Sequence, residues 1–157
     1  MRAAGAWLRR RAENVAAAML GVMFAAFIIQ IVFRYFFNFP IGWTSELTVI
    51  MWLWLVLWGA AFVLKESEEI RFDLISAALG RRARIVIGVV AALAVVVLYA
   101  AALPATWSYV TFMKVERTAY LKIRFDWLFS IYLAFAVAVI GRYLWILARL
   151  LRGKEPE

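Results

Sequence analysis

Two residue types that carry much of protein metal and nucleophile chemistry are missing from this chain: it has no His and no Cys. Disulfides, thiol redox steps, His-ligated haem and Cys or His zinc sites are thereby excluded. No Gly-rich phosphate loop and no nucleophile beside a base can be found. The charges of interest are Arg34, Glu46 and Arg142, each within or at the edge of an apolar run. Arg34 and Glu46 flank the turn Asn38-Phe39-Pro40-Ile41-Gly42, so a helical hairpin sets them at similar depth near one membrane surface. Two readings stand. Arg34 and Glu46 pair across the hairpin, or one of them reaches a partner protein, because an ionisable group at that depth is costly unless paired. Otherwise Arg34 snorkels to lipid phosphate while Glu46 complements the start of the second helix, with Thr44 or Ser45 as N-cap.

The elements that hold these residues follow from composition. Of 157 residues, 67% are hydrophobic and 17% aromatic, more apolar surface than a water-soluble domain of this length can bury. A membrane span takes about 20 apolar residues. Four runs qualify, at 15–37, 43–64, 85–113 and 127–151, and in hydrocarbon such runs are helices because every backbone polar group must be satisfied within the segment. The first run follows Arg9-Arg10-Arg11 as a signal peptide would. It is too long for one and ends in Phe33-Arg34-Tyr35-Phe36-Phe37 rather than a small-residue cleavage site, so it reads as a retained span. The expected fold is an all-α integral membrane protein, one domain over 1–157, with four transmembrane helices. An amphipathic helix at 68–80 should lie in the interface between the second and third, since Ile70, Leu74, Ile75, Ala78 and Leu79 recur at helical spacing. Trp7 to Arg11 could lie in the same way. The loop from Lys114 to Asp126 leaves its secondary structure open.

The formal charge of +8 fits membrane topology better than nucleic acid. With four spans, one side carries 12 basic residues (Arg2, Arg9, Arg10, Arg11, Lys65, Arg71, Arg81, Arg82, Arg84, Arg149, Arg152, Lys154) and the other 5 (Arg34, Lys114, Arg117, Lys122, Arg124). The positive-inside rule makes both termini cytoplasmic. Trp7 and Arg10 are candidates for lipid contact on that side. Arg142, about two turns from the end of its run, snorkels there or meets anionic lipid or a partner. Pro104 either kinks the third run or marks its outer end; at helical rise that run is about 43 Å long and must tilt, kink or protrude.

In the second run, Trp43 suits the interfacial aromatic belt. Trp52, Trp54 and Trp58 face lipid or a large partner, and Gly59-Ala60-Ala61 allows close helix approach, within the bundle or between proteins. No carboxylate sits at mid-membrane and no pair of Gly/Pro-broken helices appears, so a self-sufficient coupled carrier lacks its polar machinery.

The stretch from Arg34 to Glu46, with Arg34-Tyr35, Pro40 and Trp43-Thr44-Ser45-Glu46, resembles the signature of the small membrane subunit (DctQ-like) of tripartite ATP-independent periplasmic (TRAP) transporters. Trp54-Leu55-Val56-Leu57-Trp58-Gly59-Ala60-Ala61 resembles that family's second-helix run, and Ile70-Arg71-Phe72-Asp73-Leu74 the element after it. Length and span number agree across the whole chain. One departure is Ile123-Arg124-Phe125-Asp126-Trp127, which lacks the Pro that many members carry before the fourth helix. The resemblance implies a non-enzymatic scaffold in the inner membrane of a bacterial cell, without cofactor or metal. It implies two protein partners: a large multi-span subunit that carries substrate and sodium by an elevator movement, and a periplasmic solute-binding protein that delivers an organic acid. Arg34, Tyr35, Pro40, Trp43, Glu46, Trp58, Gly59 and Asp73 become candidate structural or partner-interface residues. The competing readings are a stand-alone four-span homodimeric exporter and a membrane assembly or regulatory protein.

Overall fold

A computed structural model describes residues 2–64 and 80–152. The expected interfacial helix, apart from Gly80 and including Asp73, lies outside them. Four long helices account for most of the described chain: α1 (Arg2–Phe36), α2 (Gly42–Trp58), α3 (Arg81–Phe112) and α4 (Phe125–Leu151). Each is long and apolar enough to cross a membrane, and no strand occurs among the described residues.

Helix ends fall where the backbone has a reason to turn. α1 continues upstream of its apolar run to Arg2, so Trp7 to Arg11 extend the first span instead of forming a separate interfacial piece. Its 35 residues reach about 52 Å at helical rise, well beyond the hydrocarbon thickness of about 30 Å. The basic upstream turns gain local support from Arg9 Nε, which donates to Glu13 Oε1 at 2.9 Å in an i,i+4 pair. At the other end Asn38 takes φ 47°, a left-handed conformation that Asn tolerates. The Phe39 N–H then folds back onto the Phe33 carbonyl at 3.1 Å.

α2 closes with a wider π-helical turn, Gly59–Val63, sealed by Leu64 N–H on the Gly59 carbonyl at 3.0 Å. α3 passes through Pro104 without a break and ends in a 3-10 turn, Met113–Val115. Pro104 therefore does not end the span, although it withholds a donor from the Ala100 carbonyl. Ser108 Oγ donates to the Pro104 carbonyl at 3.0 Å and Thr106 Oγ1 to Ala102 at 2.9 Å, the back-bonding typical of hydroxyls within a helix.

The helices form two antiparallel hairpins, α1 with α2 and α3 with α4, joined through α2 and α4. In space the order is α1, α2, α4, α3, a row with α1 and α3 at its ends rather than a closed ring. The contacts are made largely by small and branched side chains, including Ala12, Ala26, Ile50, Ala61, Ala92, Ile131, Ala136 and Val139, all buried. Small residues let helix backbones approach where lipid offers no hydrophobic drive between helices. The row buries little of itself: the most apolar stretch of each span is only 6–11% buried. Even the two central helices keep exposed apolar stripes, Val49, Trp52 and Val56 on α2 and Val137, Leu144 and Trp145 on α4.

Candidate functional site

At the membrane face bearing the Asn38 turn, the loop between α3 and α4 folds into a miniature hairpin. Thr118 N–H donates to the Ile123 carbonyl at 2.9 Å, and Ile123 N–H to Thr118 Oγ1 at 3.0 Å. Phe125 N–H reaches the Glu116 carbonyl at 3.1 Å, and Arg117 pairs with Arg124 across a single β-bridge. Lys122 at φ 55° turns the chain. This geometry leaves the amides at the tip without partners in their own hairpin. Two of them meet Glu46: Tyr120 N–H and Leu121 N–H both donate to Oε2, at 2.9 and 2.8 Å. Bonds to an ionised carboxylate are about twice as strong as neutral ones.

The tip also packs. A Cβ built on Gly42 would overlap the Tyr120 ring, so the absence of a side chain at Gly42 lets that ring lie against the start of α2. Thr118 is buried at 5% exposure. Glu46 and Gly42 together clasp the α3–α4 hairpin onto the α1–α2 hairpin.

This placement corrects the reading of Glu46. Its carboxylate is held by loop amides, and no ion pair joins it to Arg34 among the described residues. Arg34 is exposed at the end of α1 beside Tyr35, Phe36, Phe37 and Phe39, all exposed. Nor do Thr44 and Ser45 cap α2: Ile41 occupies the N-cap without a side-chain bond, while the two hydroxyls donate to the Ile41 and Gly42 carbonyls at 3.0 and 2.8 Å. Trp43, at 38% exposure, and Pro40, exposed, lie at the same membrane face.

Four further bonds, from three side chains, run between helices. Trp54 Nε1–H donates to the Leu128 carbonyl on α4 at 3.1 Å, and Trp58 Nε1–H to the Ala12 carbonyl on α1 at 3.1 Å. Two tryptophans one turn apart thus tie α2 to both of its neighbours. Arg142, on α4, extends Nη2 to the carbonyls of Ala60 and Ala61 at 3.3 and 2.7 Å. These carbonyls belong to the π-helical turn, near the helix end where intrahelical donors run out. Arg142 is therefore an internal tie, and its guanidinium does not simply snorkel to the membrane surface. Trp7 is exposed and sits under the Arg11 guanidinium, 5.2 Å from the ring centroid, while Arg10 is also exposed.

The sequence reading missed Trp54 as a tether and the clasp formed by Thr118, Tyr120 and Leu121. A carbonyl or amide partner leaves no side-chain signature to find. Gly42 beside the aromatic Tyr120 is visible only once the loop is placed. Among the described residues no group of acidic side chains is arranged to hold a metal ion.

These features define a multi-pass membrane protein whose polar side chains mostly bind its own helices and loops together. The chain belongs to the DctQ family: residues 19–153 match the family described as tripartite ATP-independent periplasmic transporters, DctQ component. That is a family of small transporter components and not of enzymes. No curated protein matches the chain.

Proposed function

We propose that this chain is the fixed membrane platform of a TRAP transporter, anchoring and stabilising the large subunit that carries the substrate. The observation that carries this reading is the open row of helices. Its inner members, α2 and α4, keep apolar stripes uncovered at Val49, Trp52, Val56, Val137, Leu144 and Trp145, while tryptophan and arginine bonds tie α2 to α1 and α4. A broad, internally tied and largely apolar face suits a stationary support against which another membrane protein moves. Among the described residues no span carries a carboxylate near its middle with which to couple an ion.

In this reading the large subunit imports an organic acid with sodium, a periplasmic binding protein delivers it, and the assembly lies in the bacterial inner membrane. The basic-residue count, 12 against 5 over the residues named above, supports placing both termini in the cytoplasm. The clasp between Glu46 and the α3–α4 loop then faces the periplasm. Photo-crosslinking tests the anchoring role. A photoreactive residue at Trp52 should capture the large subunit in native membranes. Capture of lipid or of a second copy of this chain alone, with none of the large subunit, would contradict it.

A further inference from the structure

Between the outer ends of α3 and α4 lies an open cleft of about 440 Å³. Its lining changes character with depth. Lys114, in the 3-10 turn after α3, and Asp126 and Trp127, in the first turn of α4, lie at its outer end; Thr111 and Ser130 follow about one turn along their helices, and Val110, Leu133 and Trp107 line its inner, apolar part. Trp107 and Trp127 are 61% and 68% exposed, whereas Val110 is buried. Trp127, at the start of α4, suits the interfacial depth of a bilayer.

The charge at the outer end is unbalanced. Asp126 is already engaged: Arg124 Nε donates to its Oδ1 at 3.1 Å, and Trp127 N–H to the same atom at 2.9 Å. Lys114 is exposed, and no described residue forms an ion pair with its ammonium. Lys114, Arg124 and Asp126 together leave one positive charge above an apolar trough. The hydroxyl hydrogens are occupied, Thr111 on the Trp107 carbonyl at 2.9 Å and Ser130 on the Trp127 carbonyl at 2.7 Å. Their oxygen lone pairs remain available to accept.

We propose that this cleft is a phospholipid site, with an anionic headgroup phosphate on Lys114, headgroup hydroxyls donating to Thr111 and Ser130, and an acyl chain against Val110 and Leu133. A net-anionic headgroup complements the outer end, the Trp127 indole lies beside it, and Val110, Leu133 and Trp107 take hydrocarbon. The site is separate from the apolar stripes of α2 and does not depend on the platform role.

Native mass spectrometry of the full chain, titrated with dioleoyl phosphatidylglycerol or with dioleoylglycerol, tests it. Phosphatidylglycerol should bind more tightly than dioleoylglycerol. Lys114→Gln should weaken phosphatidylglycerol about fivefold, the effect of one basic residue near an anionic surface, and leave dioleoylglycerol unchanged. Lys114→Arg should restore binding, and Leu133→Trp, which fills the inner part, should weaken both lipids with no loss of helicity by circular dichroism. Equal binding of the two lipids, or full phosphatidylglycerol affinity in Lys114→Gln, overturns the proposal. So does displacement of the lipid by millimolar inorganic phosphate, which would make this a free-anion site. Cross-linking of a partner chain into the cleft from position 133 would also overturn it.

Discussion

Glu46 and Leu121 are 75 residues apart in sequence and meet at 2.8 Å, the carboxylate of one accepting the backbone N–H of the other. With the adjacent Tyr120 amide, this contact joins the two helical hairpins at one membrane face. The partner of this carboxylate is a loop backbone and not the arginine across the turn.

Glu46→Ala leaves two loop amides without their acceptor and should lower the unfolding temperature. Arg34→Ala should change stability by less than about 0.5 kcal/mol. Thermal unfolding in detergent distinguishes them. The swap of Arg34→Glu with Glu46→Arg should restore nothing that Glu46→Arg loses; recovery would show that the two charges pair after all.

Gly42→Leu should displace the Tyr120 ring, which would overlap even a methyl group there. Its cost should fall when Tyr120→Ala is added, giving a coupling energy of about 0.5–3 kcal/mol in a double-mutant cycle. Additive effects would mean that the ring does not rest on Gly42.

Trp54→Phe and Trp58→Phe keep an aromatic ring and remove the indole N–H. Each should cost about 0.6 kcal/mol and at most about 1.7, the range for hydrogen bonds between membrane helices. Trp52, exposed and without a hydrogen bond among the described residues, should tolerate the same change. Refolding equilibria in mixed micelles would read the difference, and an equal cost at all three positions would argue against the tethers.

Arg142→Met removes the donor from the Ala60 and Ala61 carbonyls and should loosen the π-helical turn. Hydrogen exchange at 60–64 should speed up, with little change at the Glu46 clasp. Unchanged exchange at that turn would show that Arg142 does not hold it.

The long helices were legible because a bilayer demands about 20 apolar residues in a row and allows few backbone alternatives. The tight turn was legible from Asn38, Pro40 and Gly42, and the family from the residues around it. Helix order was not, because apolar runs such as 85–113 and 127–151 carry no label for their neighbours. The polar ties were hidden for a related reason. Arg142 and Trp58 bind carbonyls, which every residue has, so the side chain announces a need without naming its partner. Glu46 shows the same limit, since the amides it holds become available only when Lys122 bends the loop.

The most direct test of the platform role is sodium-driven substrate uptake into proteoliposomes of defined composition, with the binding protein present throughout. This chain alone should give no uptake above empty vesicles, and the large subunit with this chain should transport. The large subunit without it should lose most of that activity or fail to remain folded. Uptake by this chain alone, or undiminished transport by the large subunit without it, would contradict the account.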